Sequence, residues 1–381
     1  MALLELDQVR KSFIGATKVP NVALESMSLQ VHEGEFLALL GASGCGKTTT
    51  LRSIAGLETP DSGSITIDGR VVFSAGRGRA VFVPPERRAL GMVFQSYALW
   101  PHMTVSENIG FGLAKKGLSR AEILEKIERS LRAVQLWELR DRRISQLSGG
   151  QQQRVAVARA IAPEPRIILF DEPLSNIDAR LREDLRHQVL SIQKRMNLTA
   201  IWVTHDQDEA MGLATRIVLM NKGVAEQVGT PQQVWDEPAT AFAAGFIGSS
   251  SELKGIVSTS PHGDLEMGLG DGKVLSLPRT SSFPSGTSVR AFVRSDTVRV
   301  GDDLNDSENT WEAPLIMHTF HGDYTMVVVQ LGDQKLKFRS STRIKPETTS
   351  LRISLQPESL LIFTDGEREV LKIPEDVMSS S

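Results

Sequence analysis

The chain has 381 residues, room for two or three domains, and 40% apolar residues with 31 Gly and 17 Pro, the profile of an ordinary folded chain. A net charge of −3 gives no reason to expect nucleic acid as the main partner, and the single cysteine, Cys45, rules out a disulfide framework within the chain and fits a reducing compartment. Residues 1–13 read as an amphipathic strand without the apolar core and cleavage site of a signal peptide.

Residues 3–69 alternate short strands and turns, with strands expected over 3–9, 23–31, 36–40 and 64–67 and a turn at Asp68-Gly69. Phe13, at the end of the first strand, fits stacking on a nucleotide base and plain core packing equally. The apolar run 36–40 feeds Gly41-Ala42-Ser43-Gly44-Cys45-Gly46-Lys47-Thr48, followed by Thr49 and a helix-compatible run to 55. The spacing is that of a phosphate loop, whose glycines let successive N–H groups converge on an anion at a helix N-terminus. Lys47 then reaches β- and γ-phosphates, and the Thr48 hydroxyl is placed to ligate Mg²⁺. A thiol at Cys45, beside Lys47 and a helix start, is expected to react readily and to be protected by ATP.

Residues 70–88, rich in Gly, Arg and Pro, read as a loop. An apolar strand over 90–94 ends at Gln95, and Thr104 with Glu107 three residues on forms a capping box that starts a helix. The uncharged stretch 89–106 is too broken by Gln95, Ser96, Pro101 and His102 to span a bilayer. Ile123, Ile127, Leu131 and Val134 line one face of a helix over 119–135, and the basic excess over 115–143 fits a solvated helical surface. Leu147-Ser148-Gly149-Gly150-Gln151 opens a further helix, stopped at Pro163. Its start suits a phosphate, and it equally suits an ordinary serine cap with flexible glycines. A continuously apolar strand, 166–170, ends in Asp171-Glu172; with a phosphate loop upstream, Asp171 suits Mg²⁺ and Glu172 suits polarising a water. A helix over 178–196, a strand over 199–204 ending at His205, a helix over 206–213 and a strand over 216–220 complete an α/β pattern. Beyond 251 only short strand candidates separated by Gly/Asp turns remain, the pattern of a small all-β barrel domain.

Two phosphate-suited helix starts in one chain suggest that each ATP is held between two copies. Taken with 41–48, Gln95, 147–151, 167–172, Ser175-Asn176-Ile177-Asp178 and His205, the sequence resembles the nucleotide-binding subunits of ATP-binding-cassette transporters over essentially its whole length. Stretch 97–105, the 174–178 segment and the β-rich tail are similar to importer ATPases of the maltose, polyamine and ferric-iron type.

The resemblance implies an α/β P-loop NTPase cassette over 1–247 with an inserted helical subdomain about 96–165. It further implies a small all-β OB-like regulatory barrel over 248–366 and a flexible tail over 367–381. Phe13 then corresponds to the aromatic that stacks on adenine, and Gln95 to a glutamine that touches Mg²⁺. Ser148, Gly149, Gly150 and Gln151 correspond to groups that meet the γ-phosphate held by the opposite subunit, and Asp178 lies where the opposite phosphate loop is met. His205 corresponds to a histidine that hydrogen-bonds the γ-phosphate. Catalysis would rest on Glu172, His205 and Lys47, with ATP and Mg²⁺ bound. The implied partners are a second copy, two transmembrane permease subunits docked near 95–103 and, indirectly, an extracytoplasmic solute-binding protein, with the chain peripheral on the cytoplasmic face of the membrane. The loop 73–88, with Pro84-Pro85-Glu86-Arg87-Arg88, is most similar to ferric-iron-type members, and polyamine, phosphonate and sugar importers share much of it. The tail departs from the family at Arg294-Ser295-Asp296, where importers commonly carry Arg-Pro-Glu. A soluble, non-transport cassette ATPase is the alternative class.

Overall fold

The computed structural model describes residues 2–14, 20–76, 80–175, 177, 179–301, 304 and 309–364, with the side chains of 179–181 left aside. Asn176, Asp178 and the segment 367–381 lie outside the described residues. The chain divides into two compact units, Met1–Pro231 and Gln232–Ser381.

In the first unit the chain runs through β1 (Ala2–Ile14), β2 (Pro20–His32), β3 (Phe36–Gly41), α1 (Lys47–Ala55), β4 (Ser62–Ile67), β5 (Arg70–Ala75), β6 (Val81–Phe82), β7 (Leu90–Val93), α2 (Val105–Leu113), α3 (Arg120–Ala133) and α4 (Gly149–Ile161). It continues through β8 (Ile167–Asp171), α5 (Ala179–Met196), β9 (Thr199–Thr204), α6 (Gln207–Leu213), β10 (Arg216–Asn221) and β11 (Val224–Gly229). An antiparallel sheet has the order β2-β1-β4-β5-β6, and a second sheet the order β11-β10-β3-β9-β8-β7. From β10 to β7 the second sheet is parallel, and β11 adds an antiparallel edge.

The parallel strands are apolar at nearly every position because both of their faces are covered. Side chains alternate across a strand, and the core divides accordingly. Phe36, Ile168, Phe170, Ala200 and Trp202 join the core built by α2 to α5. Their neighbours Leu37, Leu39, Ile167, Leu169, Ile201 and Val203 join the core shared by α1 and the antiparallel sheet. Helices α1 and α4 therefore pack on opposite faces of the parallel sheet.

The helical segment forms where the caps predict it. Thr104 with Glu107, Ser119 with Glu122, and Ser148 with Gln151 each make a reciprocal capping box at the starts of α2, α3 and α4. The 70–88 expectation needs correction: 70–75 is strand β5, paired with β4 so that Phe73 faces Ile65, and 81–82 adds β6. Burial of Val72 and Phe73 in the core outweighs the Gly/Arg/Pro composition that suggested a loop. Among the described residues no helix is long and apolar enough to cross a membrane.

In the second unit the two short helices α7 (Pro231–Asp236) and α8 (Ala241–Phe246) precede β12 (Ser250–Thr259), β13 (Leu265–Gly270), β14 (Lys273–Ser276), β15 (Ser288–Arg294) and β16 (Arg299–Val300). After these come β17 (Thr310–Phe320), β18 (Thr325–Leu331), β19 (Gln334–Ser340), β20 (Ser350–Ser354) and β21 (Leu361–Thr364). The strands form two five-stranded antiparallel sheets, β14-β13-β12-β15-β21 and β16-β20-β17-β18-β19, around one apolar core. The compact units part at 231/232, whereas the sequence places a boundary at 247/248. The cause is local: Ala244 packs on Phe292 and Phe363. Arg294 stacks 4.2 Å over Trp235 and donates to the Ile247 carbonyl (2.8 Å) and the Trp235 carbonyl. The arginine that remains at the Arg294-Ser295-Asp296 departure thus ties both short helices to the β unit.

Candidate active site

The carboxyl ends of four parallel strands meet along one edge. The register pairs Leu40 with Thr204, Asp171 with Val203, and Val93 with Phe170. The phosphate-loop sequence after β3, His205 after β9, Asp171-Glu172 at β8 and Gln95 beyond β7 consequently lie side by side. An open α/β sheet offers its ligand crevice at this edge.

The loop is built on backbone that only glycine accommodates. Gly46 caps α1 at φ 106°, where an added Cβ would lie 2.4 Å from the Ala23 carbonyl oxygen. At Gly41 a Cβ would meet the Met220 carbonyl oxygen at 2.4 Å. Ala42, Ser43 and Gly44 are exposed, and the first turn of α1 carries no acidic residue of its own to offset the positive end of the helix dipole. Lys47 is only 4% exposed, and its Nζ donates to the Gly41 (2.7 Å) and Ala42 (3.0 Å) carbonyls. The ammonium is thereby fixed inside the loop. Thr48 and Thr49, both half-buried, follow in the first turn. Cys45 is 6% exposed, its Sγ 3.9 Å from Lys47 Nζ. The ready reactivity expected of this thiol is corrected by its enclosure behind the loop.

Asp171 is buried and hydrogen-bonds the Thr48 side chain; Arg52 Nη2 lies 3.5 Å away. Burial pushes the Asp171 carboxyl above its usual range, and Arg52 pulls in the opposite direction. Glu172 has a left-handed backbone, φ 45°, at a cost of about 1–2 kcal/mol for a residue with a Cβ. Its Oε2 lies 3.3 Å from His205 Nδ1. Gln95 is exposed, and its Nε2 donates to Ser175 Oγ at 3.2 Å; Ser175 Oγ in turn donates to the Glu172 carbonyl at 3.0 Å. Ser175 and Arg52 are the neighbours that motif reasoning assigned no role. Ser175 stood inside a quoted motif, whereas Arg52 had no local signal.

Two groups of expected residues stand apart. Ser148 and Gly149 are exposed and Gly150 is buried at the start of α4, on the sheet face opposite α1. Ser148 Oγ accepts from Gln151 N (3.4 Å), and Gln151 Oε1 accepts from Ser148 N (3.0 Å), so the helix-cap reading of this motif is realised. Phe13, 41% exposed, projects from β1 with Lys11 Nζ 5.1 Å from its ring centre. Asp178 lies outside the described residues.

Residues 24–175 match the family model described as ABC transporter. The sn-glycerol-3-phosphate import ATP-binding protein of Salmonella typhimurium is 41% identical over 374 residues, 96% of this chain and 99% of that protein. This chain belongs to the import ATP-binding subunits of ABC transporters. The spermidine/putrescine import ATP-binding protein of Oleidesulfovibrio alaskensis is 42% identical to this ABC subunit over 288 residues, 75% of each chain. A bacterial ABC transporter cassette solved as a dimer aligns with a TM-score of 0.52 at 31% identity, covering 60% of this chain and 98% of that one. The same cassette in a post-hydrolysis state, bound to ADP and Pi, aligns equally well. The ABC subunit is an ATPase that binds ATP with Mg²⁺.

The residues present suit that metal. Mg²⁺ takes hard oxygen ligands, commonly one or two carboxylates completed by substrate phosphates and water. The buried Asp171 carboxylate and the Thr48 hydroxyl bonded to it are such a donor pair. Among the described residues no group of three or more His, Cys, Asp or Glu could hold a metal.

Proposed function

We propose that this ABC subunit works as one half of a homodimer that hydrolyses ATP at the cytoplasmic face of a membrane to drive uptake of sn-glycerol 3-phosphate through two permease subunits. The observation that carries the dimer is the placement of α1 and α4 on opposite faces of one sheet. The exposed start of α4 then serves the nucleotide of a second copy. Likeness over 96% of this chain to the sn-glycerol-3-phosphate relative supports the cargo. The polyamine relative spans only 75% and stands second. The ferric-iron reading taken from the 73–88 loop finds no support among these relatives and is set aside.

In this reading Phe13 stacks on the adenine, and the loop amides with Lys47 hold the β- and γ-phosphates. Thr48 and Asp171, with Gln95 at the edge, would hold Mg²⁺, which would supply positive charge against the phosphates. Glu172, aimed by His205 and by its strained backbone, accepts the proton of the attacking water. His205 donates to the phosphoryl group as charge develops on it. Ser148, Gly149, Gly150 and Gln151 of one copy close over the γ-phosphate held by the other. Catalysis belongs to the first unit, and the β unit regulates it.

Detergent-solubilised native membranes supply the test: the subunit is captured and its partners are identified by mass spectrometry. Co-recovery of a permease pair, with uptake of radiolabelled sn-glycerol 3-phosphate lost on deletion of the subunit, is expected. Recovery of soluble partners alone overturns the transport reading. Loss of spermidine uptake instead transfers the cargo to polyamines.

A further inference from the structure

The segment 95–104 follows β7 and hangs between two anchors. At its start, Gln95 reaches Ser175, which is bonded to the Glu172 carbonyl. Just beyond, Tyr97 (φ 62°) and Ala98 (φ 48°) are consecutive non-glycine residues in the left-handed region. Their carbonyls converge on one side chain from another element: Arg159, in the last turn of α4, donates Nη1 to Ala98 O (2.5 Å) and Nη2 to Tyr97 O (2.7 Å). The same guanidinium lies 5.5 Å from the centre of the Trp100 ring, which packs 4.3 Å from Phe111. Asn108 then fixes the Trp100 backbone on both sides, accepting from its N–H (2.9 Å) and donating to its carbonyl (3.1 Å).

Among the described residues no carboxylate pairs with Arg159. Its charge is spent on two strained carbonyls, and burial lowers its pKa from the ordinary value. A planar fork that bridges two acceptors fits an arginine and not a lysine. The other end of α4 is Ser148, about three helical turns away. A helix is stiff along its axis, so a displacement at Ser148 arrives at Arg159 largely undiminished.

We propose that Arg159 is a positioning residue that transmits movement of α4 into the segment 97–100, coupling the nucleotide met at Ser148 to the surface next to Gln95. This deepens the proposed function and rests on α4 meeting the nucleotide of a second copy. The strained pair Tyr97-Ala98 is held by the fork, and so follows it. Without the fork the segment stays fastened by Asn108 and Gln95 but no longer reports on α4.

The test uses the full chain labelled with 5-fluorotryptophan, which gives five ¹⁹F resonances from five tryptophans. Trp100→Phe assigns the resonance of interest. Trp202, fully buried between Phe36 and Phe170, serves as the control for folding. Titration with Mg²⁺ and a non-hydrolysable ATP analogue is expected to shift Trp100 in the unsubstituted chain. In Arg159→Gln that shift falls at least threefold, with half-saturation within twofold of the parent and Trp202 unmoved. Arg159→Lys, which keeps the charge but not the fork, falls between. A full Trp100 response in Arg159→Gln, no response in the parent, or a displaced Trp202 in both variants overturns the proposal. Sedimentation of the same samples reports separately on the dimer, so failure of that reading is distinguishable from failure of this one.

Discussion

Lys47 and Glu172 show how single residues are prepared for their chemistry. An ammonium held by two carbonyls of its own loop has no freedom left to lose when phosphate oxygens come within reach, which is preorganisation in a literal sense. Glu172 carries backbone strain and a histidine neighbour at 3.3 Å, both of which aim its carboxylate. Glu172→Gln is therefore expected to lower the steady rate of ATP hydrolysis by about 10²–10⁴-fold, the usual worth of a general base, while KM for ATP changes little. Coupled-enzyme kinetics on the purified chain checks it, and an unchanged rate would remove Glu172 from the role. The loop, the two acids and His205 were legible in the sequence because their spacing is set by local chain geometry. Arg52 beside Asp171 was not, since it is brought there by α1 packing against the sheet, 119 residues away in sequence.

At the scale of elements, α1 is held at both ends. Its N-terminus follows the phosphate-loop sequence; its C-terminus is capped by Arg88, 3% exposed, which donates to the Ser53 and Ile54 carbonyls (2.8 Å each) and to the Val83 carbonyl (2.8 Å). A cation there also suits the helix dipole, although burial pulls the Arg88 pKa down to about 10. Arg88→Ala takes this donor from the Ile54 carbonyl, leaves the Ser53 carbonyl with only the Gly56 N–H (3.2 Å) at a buried helix end, and is expected to destabilise the first unit by about 2–3 kcal/mol. Urea unfolding followed by tryptophan fluorescence measures it.

Helix α6 carries a second buried charge. Glu209 accepts from Trp202 Nε1 at 3.0 Å, and burial raises its pKa above the ordinary 4.5, against hydrogen bonds from Thr204 and Trp202. Between 4.5 and the raised value, the folded chain keeps a proton that the unfolded chain has released. Stability therefore falls as pH rises through that window. Glu209→Gln retains the acceptor without the charge. It should cancel this slope and raise the neutral-pH melting midpoint by about 2–4 °C, as thermal melts at acid and neutral pH would show.

Elements that declare themselves by caps or unbroken apolar runs, such as α2 after Thr104 or β8 and β9, were readable from residue patterns. Strand β5 was not, because its short Val71-Val72-Phe73 run was averaged with the Gly, Arg and Pro of 76–88, and its pairing with β4 is a contact made by folding.

The whole molecule has separate cores for its two units: two apolar clusters flank the parallel sheet, and a third fills the β unit. All the described candidate site residues fall in the first unit. A chain ending at Pro231 is thus expected to fold and to hydrolyse ATP within a few-fold of the full-length rate, measured by phosphate release. Loss of all activity would tie the β unit to catalysis rather than to its regulation. The sequence announced the β unit by its turns but hid its edge, since the residue that draws α7 and α8 into it, Arg294, acts through contacts made by folding. One consequence follows from the lone thiol. Cys45 sits behind the phosphate loop, where a Cβ on Gly41 would come within 2.7 Å of its sulfur. To a bulky reagent the folded protein is in effect cysteine-free. A cysteine introduced at any exposed position is a single chemical handle, and paired spectroscopic labels become practical without altering a residue of the site.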